Sequence, residues 1–254
     1  MRGAIVTGGS RGIGRAVALE LGRLGYAVLV NFVSRPEAAA EVVAKLQEAG
    51  GMAVAARGDV GSSHDREALV RTALERFGRL DLLVNNAGIT SPGRKDLLEA
   101  TETGWDLVFN TNLKGPFFLA QRAANEMVRQ IRDGAIPCGK IINISSVRAF
   151  QGRLNDAAYA PSKGAVNQLT HSMAIEWGPR GINVNALAPV FTRTAMAAPQ
   201  LDNPQTRAWI LSRIAMKRPG ELDDLFGPIV FLASDASNFV NGHVLVVDGG
   251  WLAT

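Results

Sequence analysis

A single cysteine, Cys138, stands in 254 residues, so no internal disulfide can form and a reducing cytoplasm is the expected location. Histidine is nearly as scarce: His64, His171 and His243 lie far apart, without the spacing of metal ligands, and no metal centre is expected. No apolar run approaches the roughly 18 residues of a membrane span. The opening Met1–Val6 runs straight into a strand pattern with no charged-then-apolar export signal. The net charge is +4, yet basic residues form no run and do not interleave with aromatics. Nucleic acid is therefore not an expected partner, and the charge amounts to a mild pull on anionic ligands. Repeats and Pro/Gly/Ser-rich linkers are also missing. One domain over residues 1–254 is expected, near the upper size for an undivided core.

What the chain does contain is an alternation of short aliphatic runs with longer helical patterns. Strand-like runs occupy Ala4–Thr7, Ala27–Phe32, Met52–Arg57, Leu80–Val84, Lys140–Ile144, Asn183–Leu187 and His243–Val247. Between them, Gly12–Leu24, Glu37–Ala49, Asp65–Phe77 and Ala157–Gly178 repeat apolar residues at three- and four-residue steps. Continuous apolar strands alternating with helices imply a parallel sheet covered on both faces, an α/β doubly wound sandwich. The segment 190–219 differs, with Pro199, Pro204, Met196, Met216 and one short helical pattern around Gln205–Ile214. Excursions of that length at the carboxyl edge of a sheet usually cover a ligand, and a substrate cover is expected here.

The first strand ends in Thr7-Gly8-Gly9-Ser10-Arg11-Gly12-Ile13-Gly14 and opens a helix. Glycines let a backbone approach a pyrophosphate, and the helix N-terminus supplies oriented N–H groups. Ser10, Arg11 and Ile13 belong to the same turn. Alone, such a loop is weak evidence; its place between strand and helix strengthens it. After the second strand, where an NAD site usually carries an acid for the ribose, no Asp or Glu occurs between Glu20 and Glu37. Asn31, Ser34 and Arg35, with Arg11, are expected around the adenosine ribose. The two arginines suit a 2′-phosphate, which favours NADP over NAD. Asp59-Val60 after the third strand and Asn86-Ala87-Gly88 after the fourth complete a row of ligand-facing turns at the carboxyl edge.

Tyr159 and Lys163 lie four apart in a helical pattern and share one face. A tyrosine is a poor acid or base near neutrality, with a reference pKa of about 10, and a nearby ammonium favours its phenolate. Tyr159 can then give a proton to a ketone oxygen or take one from an alcohol. Ser145-Ser146 closes the fifth strand, so a hydroxyl can hold the same oxygen.

In this order and spacing the sequence resembles the short-chain dehydrogenase/reductase family over nearly its whole length. The resemblance rests on Thr7-Gly8-x-x-x-Gly12-x-Gly14, Asp59-Val60, Asn85-Asn86-Ala87-Gly88, Asn112, Ser146 and Tyr159-x-x-x-Lys163. It implies a Rossmann-type sheet of seven parallel strands and a homotetramer. It implies that Ser146, thirteen residues before Tyr159, orients the substrate, that Tyr159 is the acid/base, and that Lys163 lowers its pKa and binds the nicotinamide ribose. Asn112 would anchor a water of the proton relay, and Pro189, Thr192 and Thr194 would contact the cofactor. One departure is Val190, where the family commonly has glycine.

The C-terminal third, from Gly227 to Ala253, and Phe150-Gln151-Gly152 look most like sugar-acid members of that family. A carboxylate needs a cation, and Arg148, Arg153 and Arg193 are the expected candidates, Arg148 first. Exposed arginines are common, so all three could equally face solvent. The competing substrate is a 3-oxoacyl thioester on an acyl carrier. A cofactor-binding regulator without chemistry would be expected to lack Tyr159 or Lys163, and both are present.

Overall fold

A computed structural model describes every residue from Met1 to Thr254. Seven strands form one all-parallel sheet: β1 (Arg2–Val6), β2 (Tyr26–Phe32), β3 (Ala53–Arg57), β4 (Leu82–Asn85), β5 (Gly139–Ile144), β6 (Ile182–Pro189) and β7 (Val244–Val247). Their order across the sheet is β3-β2-β1-β4-β5-β6-β7. Each predicted strand is present, with bounds moved by up to two residues.

Alternate residues along each central strand feed opposite cores. Ala4 and Val6 enter one cluster while Ile5 enters the other; Val28 and Val30 oppose Leu29 in the same way. Both faces of the sheet are thus dry, which is why these strands read as unbroken apolar runs. On the first face lie α1 (Gly12–Arg23), α2 (Pro36–Glu48) and α9 (Phe226–Ala233). The second carries α3 (Ser63–Phe77), α5 (Gly115–Arg132) and α6 (Tyr159–Trp177). Helix α3 shows how local chemistry sets these limits: the Ser62 hydroxyl accepts from the Asp65 N–H, and Gly78 takes the left-handed exit.

Helix α4 (Glu102–Phe109) joins α5 through a π-helical turn, Asn110–Lys114, that holds Asn112. Sequence reading assigned no element to this stretch. The segment 190–219, expected to be a cover, contains α7 (Ala198–Leu201) and α8 (Pro204–Arg213), the second matching the expected helical pattern. Ala197, Leu201, Ile210 and Ile214 from this segment pack on Val147 and Trp251 in a third apolar cluster. Val190 lies against that cluster and has no left-handed backbone, so the branched residue there fills a core rather than straining a turn.

The chain leaves β1 to one side for β2 and returns to its other side with β4. The crevice above that reversal, at the carboxyl ends of the strands, is where sheets of this topology bind ligands.

Candidate active site

The glycine loop after β1 is tied by side-chain hydrogen bonds to the strand ends on either side of it. Thr7 Oγ1 donates to the Val84 carbonyl at 3.3 Å and accepts from the N–H groups of Asn86 and Ala87 at 2.9 and 3.0 Å. Asn86 Nδ2 donates to the carbonyls of Thr7 and Gly8 at 2.8 and 3.2 Å. The Gly8 N–H donates to Asn31 Oδ1 at 3.2 Å, and Asn31 Nδ2 donates to the Gly58 carbonyl at 2.8 Å. Asn31, expected as a cofactor contact, is 1% exposed and acts instead as a brace between the first three strands. Its amide is consumed by backbone groups that would otherwise be buried without partners. Thr7, the first residue of the glycine motif, is a second brace.

Gly8 and Gly12 hold φ of +61° and +54°, the left-handed region. Gly14 has an ordinary φ, but a side chain on it would collide with the Gly8 carbonyl oxygen and the Asn86 amide. The loop therefore presents backbone to the crevice at close range. Thr194, at the start of the cover segment, stands over Gly12, with its methyl carbon 3.6 Å from where a Cβ would be. Thr192 is buried and donates its hydroxyl to the Val190 carbonyl at 3.1 Å.

Arg11, Ser34 and Arg35 are all exposed at the edge of this cradle, and neither arginine makes an ion pair. Asp59 is exposed too; one carboxylate oxygen accepts from the Gly61 N–H at 2.8 Å, leaving the other free. Val60 is buried, its side chain in the second core.

Beyond the loop, Asn112, Ser146, Tyr159 and Lys163 converge. A Cβ on Gly88 would lie 3.3 Å from Asn112 Oδ1 and 3.7 Å from Lys163 Nζ, so the turn after β4 reaches both. Lys163 Nζ is 5.8 Å from the Tyr159 ring centroid and donates to the Ile144 carbonyl at 2.6 Å. Asn112 clamps the site: Oδ1 accepts from the Ile89 N–H, and Nδ2 donates to the Ile89 carbonyl at 2.9 Å and to Ser162 Oγ at 3.0 Å. Ser162 in turn donates to the Tyr159 carbonyl at 2.7 Å. Both amide hydrogens of Asn112 are thus spent inside the protein, which leaves one Oδ1 lone pair for a water.

Ser145 and Ser146 divide their work. Ser145 Oγ donates to Asn167 Oδ1 of α6 at 2.5 Å. Ser146 lies within hydrogen-bonding reach of the Tyr159 phenol and also accepts from the Arg148 N–H at 3.1 Å. Burial pushes the Tyr159 phenol above its ordinary value, opposed by the Ser146 hydrogen bond; Asp156 raises it further and Arg148 and Arg153 lower it. Lys163, expected to acidify the phenol, stands 5.8 Å from the Tyr159 ring centroid. Its ammonium is turned to a carbonyl, and burial brings it down to about 8. Arg148 and Arg153 also favour the phenolate.

Arg148 is 7% exposed, donates to the Gly152 carbonyl at 3.4 Å, and keeps its buried Nη2 without any partner. With Arg153 it lines a cavity of about 900 Å³ whose other walls include Gln151, Trp209, Arg213 and Trp251. Arg193 does not join them: its guanidinium pairs with Glu221 at 3.0 Å on the exposed face of the cover segment. Arg213 takes its place. Sequence reading missed it because a basic residue in the last turn of a helix reads as a partner for the helix dipole. Ser91 and Asp156 were missed as well. Ser91 Oγ accepts from the Tyr159 N–H at 3.1 Å and donates to Asp156 Oδ1 at 2.8 Å, which caps α6 from outside its own chain segment.

A family model described as enoyl-(acyl carrier protein) reductase matches residues 8–252. The chain is 41% identical over 251 residues to the 2-dehydro-3-deoxy-D-gluconate 5-dehydrogenase of Escherichia coli K12, covering 98% of this chain and 95% of that one. It is 39% identical over 249 residues to a 3-oxoacyl-[acyl-carrier-protein] reductase of Staphylococcus aureus Mu50, covering 98% and 97%. Among solved structures, a gluconate 5-dehydrogenase from Burkholderia cenocepacia J2315 in complex with NADP and tartrate superposes with a TM-score of 0.91. It is 37% identical, over 100% of this chain and 96% of that one.

Proposed function

The chain belongs to the short-chain dehydrogenase/reductase family and is an oxidoreductase of CH–OH groups; from that premise we propose that it interconverts the ketone and alcohol of a sugar acid with NADP(H). The observation that carries the substrate reading is Arg148. A guanidinium this deeply buried, with one nitrogen left unpartnered at a cavity wall, is costly unless an anion completes it. It stands two residues from Ser146, where a carboxylate would fix the sugar chain relative to the reacting carbon.

The cradle fits NADP. Close backbone approach at Gly8, Gly12 and Gly14 suits the pyrophosphate, with Ser10 and Ile13 in the same turn. Arg11, Ser34 and Arg35 are free for a 2′-phosphate, with no acid between Glu20 and Glu37 to repel it. Asp59 has an oxygen free for the adenine, while Pro189, Thr192 and Thr194 would meet the cofactor from the 190–219 side, Thr194 over Gly12. When bound, the reduced cofactor supplies a hydride to the carbonyl carbon.

The protein's part is to place that carbon and manage one proton. Ser146 donates to the carbonyl oxygen. Tyr159, whose phenol burial pushes above its ordinary value, gives its proton to the same oxygen as negative charge grows there. Arg148 and Arg153 stabilise the phenolate left behind. Lys163 stands on the same helix face and would hold a ribose hydroxyl of the cofactor, and Asn112 keeps the loop after β4 against α6. In the direction of alcohol oxidation each transfer reverses. The 190–219 segment packs on Trp251 and forms one wall of the cavity through α8.

Arg148→Ala is expected to cut kcat/KM for 5-keto-gluconate by on the order of a hundredfold, mostly through KM, as befits loss of a charge-assisted contact. Unchanged acid turnover in that variant would remove the carboxylate assignment. A 3-oxoacyl thioester remains the second reading, favoured by the 39% identity to the S. aureus reductase. A homotetramer is part of this proposal, supported by the exposed apolar side chains Trp105, Leu107 and Phe118 on α4 and α5. Light scattering that gives a monomer at micromolar concentration would contradict it.

A further inference from the structure

The cavity beyond Tyr159 carries more positive charge than one carboxylate needs. Arg148, Arg153 and Arg213 all line it, none makes an ion pair, and no acidic side chain is among the lining residues. Arginines just outside behave differently: Arg193 pairs with Glu221, and Arg218 grips Asp224 with contacts of 2.6 and 2.8 Å. The acid that faces Arg148 and Arg153 is Asp156, and its Oδ1 is already engaged by the Ser91 hydroxyl and the Tyr159 N–H. Set against the three arginines, Asp156 leaves two positive charges uncompensated.

The guanidiniums are also held in a fixed way. Arg148 stacks on Phe191 and Trp251, at 5.5 and 5.3 Å from their ring centroids. Arg213 lies 5.9 Å from Trp209 and 6.0 Å from Trp251, and Arg153 lies 5.8 Å from Phe191. Trp251 itself is pinned by a 2.7 Å hydrogen bond from Nε1 to Gln151 Oε1. Stacking occupies the flat faces and leaves the N–H edges for in-plane recognition of acid groups. Because Arg148 and Arg213 share Trp251, their separation is bounded by the sum of 5.3 and 6.0 Å, about 11 Å. A short carbon chain with an acid group at each end bridges that span.

We infer that the substrate is a dianion: one carboxylate at Arg148, and a second acid group, carboxylate or phosphate, at Arg213 on the α8 wall. Arg153 lies beside Arg148 and shares the first group. This rests on the sugar-acid reading above and sharpens it from a sugar acid to a sugar acid with two charged ends. It also gives the cover segment a task, since α8 brings a binding residue as well as a lid.

The test is oxidation, with NADP⁺, of three acids that share a six-carbon chain and differ at the far end: gluconate, glucarate and 6-phosphogluconate. One of the two dianions is expected to exceed gluconate in kcat/KM by tenfold or more, about the worth of one charge-assisted contact. Which one wins tells carboxylate from phosphate. Arg213→Gln, on an exposed side chain that makes no ion pair and whose only ring contacts are Trp209 and Trp251, should lower that dianion by on the order of tenfold and gluconate by less than about threefold, with an unchanged melting temperature showing that the wall is intact. Gluconate used as well as both dianions, or an Arg213→Gln loss equal for all three, would overturn the inference while leaving the sugar-acid reading in place. Should none of the acids turn over while an acetoacetyl thioester does, the sugar-acid reading falls first and this inference with it.

Discussion

Tyr159→Phe is expected to lower kcat by 10²- to 10⁴-fold, the range that general acid–base catalysis contributes, with NADPH affinity held within about twofold. The substitution removes one oxygen and nothing that shapes the fold. The position of residue 159 is set through its backbone, by Ser91 and Asp156 at its N–H and Ser162 at its carbonyl, and these contacts are untouched. Melting temperature should therefore move little. Stopped-flow or steady-state NADPH oxidation beside a fluorescence titration of NADPH separates the two effects. Near-normal turnover would strip Tyr159 of its role and hand proton transfer to solvent or to Lys163. A fall in turnover matched by lost cofactor binding would point to a structural role instead.

Gly14→Ala should do the reverse, damaging the cradle and leaving the acid/base group in place. A methyl at residue 14 runs into the Gly8 carbonyl oxygen, a backbone atom, and into the Asn86 amide, which is tied to Thr7 and Gly8. Neither can move without opening the turn between β1 and α1. Overpacking of this sort costs about 1–3 kcal/mol, which for a chain of this size lowers the melting temperature by roughly 3–10 °C. NADPH affinity should fall by on the order of a hundredfold, about 2.7 kcal/mol, because the backbone no longer approaches the pyrophosphate. Gly227→Ala is the control. Nothing lies within 4 Å of its Cβ position, inside α9, so it should be neutral or mildly stabilising. Equal behaviour of the two variants would refute the close-packing account of the loop.

The sheet was readable because burial on both faces leaves each strand as an unbroken aliphatic run, as in Ala4-Ile5-Val6 and Leu82-Leu83-Val84. Helices with one apolar stripe, such as α3, were readable for the complementary reason. The stretch through α4 and α5 was not. The π-turn at Asn110–Lys114 shifts the periodicity, and α5 opens on Gly115-Pro116, residues that usually mark a break. In the site, Tyr159, Lys163 and the glycines announced themselves through fixed local spacing. Asn31 misled because a polar residue at a strand end suits a ligand as well as a brace, and only the neighbouring loop decides between them. Arg193 and Arg213 misled for a related reason. Their roles depend on Glu221, 28 residues on from Arg193, and on Trp251, 38 residues on from Arg213, and no local pattern encodes such pairings.

The most direct test of the account is NADPH and NADH oxidation by the wild-type chain with 5-keto-gluconate, a keto-deoxygluconate, acetoacetyl thioesters and simple cyclic ketones. The account predicts selective turnover of the sugar acids, faster with NADPH than with NADH. Preference for the thioesters, or for NADH, would contradict it, the first by dismissing Arg148 as a carboxylate site and the second by dismissing Arg11 and Arg35 as the 2′-phosphate clamp.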